Sequence, residues 1–307
     1  MKKAQLQKAQ EKFFQFQVAK IPFANVNAKY VKQQKLGQGA YGTVYLGYPV
    51  DNPNKKVAIK EIKVVAEELE KKNLVQATSE LKQIVVEVDT LKDLAKNGCH
   101  ANILCYNDFF LDLTTEYLYL VTDYIKGLTL TNFIPTLLDR YQNNDFSYSL
   151  IFDLVLDLVD ALDYVHSNGI IHGDIKPDNI MVKQEQDFYQ PILIDFGLSC
   201  LVNNTICSQR GSPLYMAPEA YTTGLINKKS DIWSLGMSFY DLVIGDPFTG
   251  IHSEKKIKQI LSNPNLTFTF NTPNADLNEL LNAMLIYDYN LRPSAKELLE
   301  RFSLNTL

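Results

Sequence analysis

The stretch His172-Gly173-Asp174-Ile175-Lys176-Pro177-Asp178-Asn179 decides how this chain of 307 residues is read. Two acids, a lysine, a histidine and an asparagine within eight residues would by themselves describe a solvated loop. Apolar Ile170-Ile171 precede the run, however, and Ile180-Met181-Val182 follow it, so core frames it on both sides. A carboxylate in such a frame can take a proton from a hydroxyl, and the Asn179 carbonyl oxygen suits a hard cation. Downstream, Ile192-Leu193-Ile194-Asp195-Phe196-Gly197 closes an apolar strand on an acid, which needs a cation or donors to offset burial. Asp195 and Asn179 together supply the oxygen ligands that a magnesium ion on substrate phosphates wants.

Working upstream, Leu36-Gly37-Gln38-Gly39-Ala40-Tyr41-Gly42-Thr43-Val44 is a glycine-rich run. Glycines without Cβ let backbone N–H groups approach phosphate oxygens. The spacing also fits a dinucleotide fold, but there the glycines must open a helix, whereas here the strand-like Val44-Tyr45-Leu46 follows. A plain hairpin turn is the bland alternative. Next comes Val57-Ala58-Ile59-Lys60, a lysine closing an apolar strand, which is costly to bury unless paired. Its expected carboxylate is Glu87, on a helical stretch whose buried side is marked by Ile84, Val88, Leu91 and Leu94.

Between about Tyr30 and Tyr124 the pattern is mostly strand-like, with β-branched and aromatic runs such as Tyr117-Leu118-Tyr119-Leu120-Val121 and a turn at Asp51-Asn52-Pro53-Asn54. One helix interrupts it and stops at Asn97-Gly98, and the polar stretch from Val65 to Ser79 has no assigned role. Beyond Tyr124 the pattern is helical: Ile151, Leu154, Val155, Leu158, Leu162 and Val165 line one face of a long helix stopped by Asn168-Gly169. A sheet-rich first third and a helix-rich remainder predict an α+β fold of two lobes. Residues 1 to about 24 are rich in Lys and Gln, with Leu6, Ala9, Phe13 and Phe16 at helical spacing, and are read as a helix that docks on a partner or on its own domain.

Composition excludes several classes. With 46% hydrophobic and 21% charged residues the chain is not disordered throughout. A net charge of -5 excludes a strongly cationic nucleic-acid binder. No apolar run is long enough to span a membrane, and the first residues lack the apolar core of a signal peptide, so the default expectation is cytoplasmic. The four cysteines, Cys99, Cys105, Cys200 and Cys207, form no zinc pattern and are expected to be reduced, structural thiols.

Taken in order, GQGAYGTV, VAIK, Glu87, HGDIKPDN, DFG and Ala217-Pro218-Glu219 resemble the signature set of eukaryotic-type protein kinases. Asp231-Ile232-Trp233-Ser234-Leu235-Gly236 and Arg292-Pro293 extend the resemblance, which covers about Tyr30 to Phe302. It implies a bilobal fold, with a small β-rich N-lobe at about 30–122, a hinge at about 123–126 and a larger α-helical C-lobe at about 127–307, preceded by an extension at 1–29. It implies ATP and Mg2+ as cofactors, with Mn2+ as a substitute, and a protein substrate with a Ser or Thr acceptor, favoured because Lys176 lies two residues after Asp174. Asp174 would accept the hydroxyl proton, Lys60 would hold the α- and β-phosphates and pair with Glu87, and Asn179 and Asp195 would bind the metal. Leu36 to Val44 would cover the nucleotide, with Val44, Ala58 and Met181 around adenine. Backbone groups of Asp123 and Ile125 would meet the adenine edge, beside Thr122. Glu219 would pair with Arg292 structurally.

The chain also departs from the family pattern. Gly173 stands where most members carry an arginine, and Cys200 stands where a second basic residue often lies. A phosphate on Ser208 or Thr205 would then find little partner charge unless Arg210 or a lysine compensates, so the unphosphorylated protein is expected to be active. The rival to the enzyme reading is a pseudokinase scaffold. It is disfavoured because Lys60, Asp174 and Asp195 are all present.

Overall fold

Alternation of β-branched and aromatic residues builds the first half of the chain into strands, whose side chains point to opposite faces in turn. The computed structural model describes residues 21–39, 42–63, 74–142, 144–186, 188–202, 211–251 and 253–303. The Leu6–Phe16 stripe, Ala40, Tyr41, Thr205, Cys207, Ser208 and Arg210 therefore lie outside the described residues. After a short helix α1 (Val26–Lys29), strands β1 (Tyr30–Gly39), β2 (Gly42–Pro49), β3 (Val57–Lys63), β4 (Tyr106–Asp112) and β5 (Tyr117–Asp123) form an antiparallel sheet in the order β1-β2-β3-β5-β4.

Register sorts this sheet's side chains. Val44 lies opposite Lys60 and Lys60 opposite Leu120, while Leu46 lies opposite Ala58 and Ala58 opposite Thr122. Val44, Ala58, Lys60, Leu120 and Thr122 thus share one face, and Ile59, Tyr119 and Val121 the other. The first face takes a helix, α2 (Leu74–Ala95), whose Ile84 and Val88 pack with Ile62, Leu118 and Leu120. The second is closed by α1, where Val26 joins Tyr30, Ile59, Phe110, Tyr119 and Val121. Asp112 ties α1 down: its carboxylate accepts from the Val26 N–H at 2.7 Å, and the Thr114 hydroxyl together with that amide holds its carboxyl below the usual range. Helix α2 begins ten residues before Ile84, inside the polar stretch with no assigned role. Gln76, Ala77, Glu80 and Leu81 favour helix by propensity without showing an apolar period.

The other unit is mainly helical. It contains β6 (Gly127–Thr129), α3 (Leu130–Arg140), α4 (Asp145–Ser167), β7 (Ile170–Ile171), β8 (Ile180–Glu185), β9 (Phe188–Leu193), β10 (Cys200–Leu201), α5 (Pro218–Thr222), α6 (Lys228–Val243), α7 (Glu254–Leu261), α8 (Ala275–Met284) and α9 (Ala295–Phe302). Strands β6-β8-β9 form one small sheet and β10-β7 another. Asn144 caps α4 by accepting from the Ser147 N–H at 3.1 Å, and Ile151, Val155, Leu158, Leu162 and Val165 are fully buried along it. Asn227 and Ser230 cap α6 reciprocally, and Ile232, Trp233, Leu235, Met237 and Phe239 bury that helix on nearly every side.

The chain divides into a first unit running to Ala95 and including Cys105–Tyr124, and a second comprising Lys96–Leu104 and the chain from Ile125 onward. One is β-rich and the other helix-rich, the α+β division that the sequence predicts. Among the described residues, no helix is long and apolar enough to cross a membrane. The cysteine expectation is overturned: Cys99, Cys105 and Cys200 are disulfide-bonded, and no described cysteine is a free thiol. Spacing along the chain does not report which sulfurs the fold brings within bonding distance.

Candidate active site

The polar run lies where the sequence frames it. Helix α4 ends at Asn168-Gly169, and β7 then carries the chain through Ile170-Ile171 into His172, Gly173 and Asp174. Asp174 is the centre of a hydrogen-bonded group. Its carboxylate accepts from Lys176 Nζ at 2.8 Å, from Asn179 Nδ2 at 3.0 Å and from the Ser212 N–H at 2.9 Å. Lys176 Nζ also donates to Ser212 Oγ at 3.0 Å. Burial pushes the Asp174 carboxyl up, but Lys176 and Ser212 outweigh it and hold the group below the usual carboxylate value. The result is a partly buried carboxylate kept ionised, with ammonium, side-chain amide and backbone N–H donors around it.

Asn179 closes the single turn Pro177–Asn179, and its Nδ2 also donates to the Asp174 carbonyl at 2.9 Å. With Nδ2 so committed, Oδ1 is the end of the amide left to meet a cation. The Ile194 N–H donates to the Asn179 carbonyl at 2.9 Å and so joins this turn to the residue before Asp195. Asp195 departs from the expectation of burial. It is exposed, has φ 61°, and accepts from the Gly197 N–H at 3.2 Å. Its carboxylate therefore needs no resident cation to offset burial, and it remains open to one. An exposed carboxylate and an oriented amide oxygen are hard oxygen donors, and such a set fits magnesium carried by phosphates.

In the first unit, Lys60 Nζ meets Glu87 Oε2 at 2.9 Å, joining β3 to α2 and bearing out the pairing across 27 residues. Gly37, Gln38 and Gly39 of β1 lie opposite Val44, Thr43 and Gly42 of β2, so the glycine-rich run is a hairpin tip. Gly42 is obligatory there, because a Cβ would fall 1.9 Å from the Glu61 carbonyl oxygen. Gln38 is tethered, accepting from Thr43 Oγ1 and from Lys35 Nζ, each at 2.8 Å. Thr122 is buried. The Asp123 N–H donates to the Cys105 carbonyl at 3.1 Å, and the Asp123 carbonyl accepts from Thr122 Oγ1 at 3.5 Å. Leu36, Gly37, Gln38, Gly39, Gly42, Thr43, Val44, Ala58, Lys60, Thr122 and Asp123 belong to this unit, whereas Ile125 and Met181 belong to the second.

Two features escape sequence reasoning. Ser212 lies 38 residues beyond the acid it contacts, and its loop carries no signal that names Asp174 as its partner. Asp231 is buried on α6, and its carboxylate accepts from the His172 and Gly173 N–H groups, each at 2.9 Å. The expected Glu219–Arg292 pair is present: Arg292 donates to both Glu219 oxygens at 2.8 and 3.1 Å, and its side chain is 0% exposed.

A protein kinase domain model matches residues 30–302. The chain is 32% identical over 289 residues to the probable serine/threonine-protein kinase samkB of Dictyostelium discoideum, covering 92% of this chain and 44% of that protein. It is 32% identical over 240 residues to myosin light chain kinase A of the same organism, covering 76% of this chain and 72% of that protein. It is also 32% identical over 236 residues to serine/threonine-protein kinase ULK3 of Xenopus laevis, covering 76% of this chain and 46% of that protein. The chain spans less than half the length of two of these three relatives. With the matched model spanning nearly the whole chain, and its signature residues set out as above, this chain belongs to the protein kinase domain family.

Proposed function

We propose that this chain is a serine/threonine protein kinase that moves the γ-phosphoryl group of ATP to a protein hydroxyl. The observation that carries the reading is the Asp174 group: a carboxylate held ionised beside Lys176, Ser212 and Asn179. The relatives named as serine/threonine kinases support it. Asp174 orients the acceptor hydroxyl and takes its proton as the hydroxyl oxygen bonds to the γ-phosphorus. The bond from that phosphorus to the β,γ-bridging oxygen breaks, and ADP leaves. Lys176 meets the negative charge growing on the transferred group, and Ser212 fixes the distance between acid and ammonium. Asn179 and Asp195 would hold magnesium, which when bound neutralises phosphate charge. Lys60, kept in place by Glu87, would hold the α- and β-phosphates under the glycine hairpin, with Val44 and Ala58 beside the adenine ring.

The test uses radiolabelled ATP and a generic protein substrate. The parent transfers label to serine and threonine. Asp174→Asn loses at least about a hundredfold in turnover, within the range for general-base loss, and keeps its nucleotide affinity. Asp195→Asn loses affinity for the magnesium nucleotide instead. A parent that binds nucleotide but transfers nothing would return the chain to the scaffold reading.

A further inference from the structure

The first unit is strapped by residues that precede the matched stretch 30–302. Strand β4 is an edge of the five-stranded sheet, and an edge leaves backbone donors and acceptors open. Residues 22–24 take them up in parallel. The Leu111 N–H donates to the Pro22 carbonyl at 2.9 Å, and the Ala24 N–H donates to the Leu111 carbonyl at 3.1 Å. Two residues on, the Val26 N–H is held by Asp112. These backbone bonds fix the strap whatever its side chains are. Its two buried side chains then go to different cores. Val26, 1% exposed, joins the core that closes the second face of the sheet. Ile21, 7% exposed, joins the core on the first face, with Ile62, Ile84, Val88, Phe109, Leu118 and Leu120.

Ile84 and Val88 belong to α2 and flank Glu87, whose carboxylate meets Lys60. Among the described residues, Ile84 is the one buried apolar side chain of α2 on the N-terminal side of Glu87, and Leu91 and Leu94 lie on the other. The placing of Glu87 therefore leans on the core that Ile21 completes. We infer that Ile21 is a positioning residue for phosphoryl transfer: by filling the core around Ile84 and Val88 it sets how α2 lies on the sheet, and thereby the reach of Glu87 to Lys60. Covering the edge of β4 does not require this side chain, because the backbone of residues 22–24 does that already. Removing a buried side chain leaves a cavity into which its neighbours partly relax. A shift of about 1 Å at a group that orients a reactant costs up to about a hundredfold in rate, so a smaller, second-hand effect follows even though Ile21 touches no nucleotide.

The inference rests on the kinase reading, with Lys60 at the phosphates, and its test keeps the two apart. Ile21→Ala and Val26→Ala each empty a buried apolar position on the same strap, but only Ile21 shares a core with α2. In the whole chain and per folded molecule, Ile21→Ala is expected to lower kcat/KM for ATP about fivefold, and Val26→Ala to stay within about twofold of the parent. Ile21→Leu, which conserves volume, should also stay within about twofold. In the Glu87→Gln background the penalty of Ile21→Ala should shrink to less than about twofold, because residues that act through one another are not additive. Hydrogen exchange of the α2 amides from Val85 to Val88 should quicken about tenfold in Ile21→Ala and keep the parent rate in Val26→Ala. General destabilisation would quicken α2 in both. Exchange does not depend on activity: a parent that transfers nothing sinks the kinase reading, and exchange alone then decides whether Ile21 holds α2. If Ile21→Ala does not fold, Ile21→Val carries the same comparisons with smaller changes. Equal α2 exchange in the Ile21 and Val26 variants, or an undiminished penalty beside Glu87→Gln, overturns the inference.

Discussion

Two ion pairs between distant residues, Arg292–Glu219 in one unit and Lys60–Glu87 in the other, are built to opposite ends. Arg292 and Glu219, in the helical unit, have side chains 0% and 4% exposed. The guanidinium also donates to the carbonyls of Ile286, Lys229 and Tyr287 and lies 5.0 Å from the Trp233 ring centroid, so all three of its nitrogens are used as donors. Lys60 and Glu87, in the β-rich unit, are 22% and 7% exposed. An ammonium has no fixed fork, and this one is not fully enclosed. The saturated fork has nothing left to offer a substrate and can only hold the fold together. The ammonium, on β3, is met by an acid on a different element, α2. The difference teaches that burial and donor saturation, more than charge pairing itself, set an ion pair that can only be structural apart from one with room for a proposed role at phosphate.

Breaking both pairs tests this most severely. Arg292→Leu leaves Glu219 buried without its partner and should cost about 3–5 kcal/mol of stability, lowering the melting temperature by roughly 10 °C. Lys60→Met should instead move the melting temperature by less than about 3 °C and lower phosphoryl transfer at least about a hundredfold, or ~2.7 kcal/mol of barrier. Thermal melts and transfer rates on the two variants decide it, and equal destabilisation by both would end the contrast.

Glu87→Gln sharpens it. The amide still reaches Lys60 but offers no charge, so the rate should fall about tenfold, or ~1.4 kcal/mol, with stability nearly unchanged. A larger loss than in Lys60→Met would show that Glu87 acts through something other than that lysine.

Lys176→Met carries the comparison into the Asp174 group. In the parent, burial raises the Asp174 carboxyl while Lys176 and Ser212 lower it further, leaving it below its ordinary value. Stability from this depressed group is present above the unfolded carboxylate value, about 3.9, and is lost as pH falls through the lower folded value. Without the ammonium, burial weighs more, so the acid limb of kcat/KM should move to higher pH. A pH–rate profile that stays in place would mean that Ser212 alone holds the charge.

The smallest effect is expected from phosphate removal. Gly173 and Cys200 supply no cation for a phosphorylated segment, and the Asp174 loop is tied to Asp231 by backbone bonds that need none. Exhaustive phosphatase treatment should change the rate by less than about tenfold, or ~1.4 kcal/mol. A collapse restored by phosphorylating Ser208 would implicate Arg210 or a lysine as the substitute phosphate ligand.

What the sequence determined by itself was chemistry and local form. Val57-Ala58-Ile59-Lys60 reads as a strand ending on a cation, and the run from Ile151 to Val165 reads as a buried helix, because periods of 2 and 3.6 are written in neighbouring residues. His172 to Asn179 declares its donors and acids in one stretch, which made Asp174 and Asn179 legible at once. Tertiary structure alone decided which distant groups meet. Ser212 reaches Asp174 across 38 residues, and His166 reaches Asp231 across 65. Neither pairing leaves a local period, since it arises only when separate helices and loops pack. The same is true of the first turn of α2, of Asp195 standing exposed where its apolar approach suggested burial, and of the cysteines. Spacing there offered thiols, and the fold joined Cys99, Cys105 and Cys200 in disulfides, because a disulfide needs sulfurs brought together in space, whatever their order along the chain.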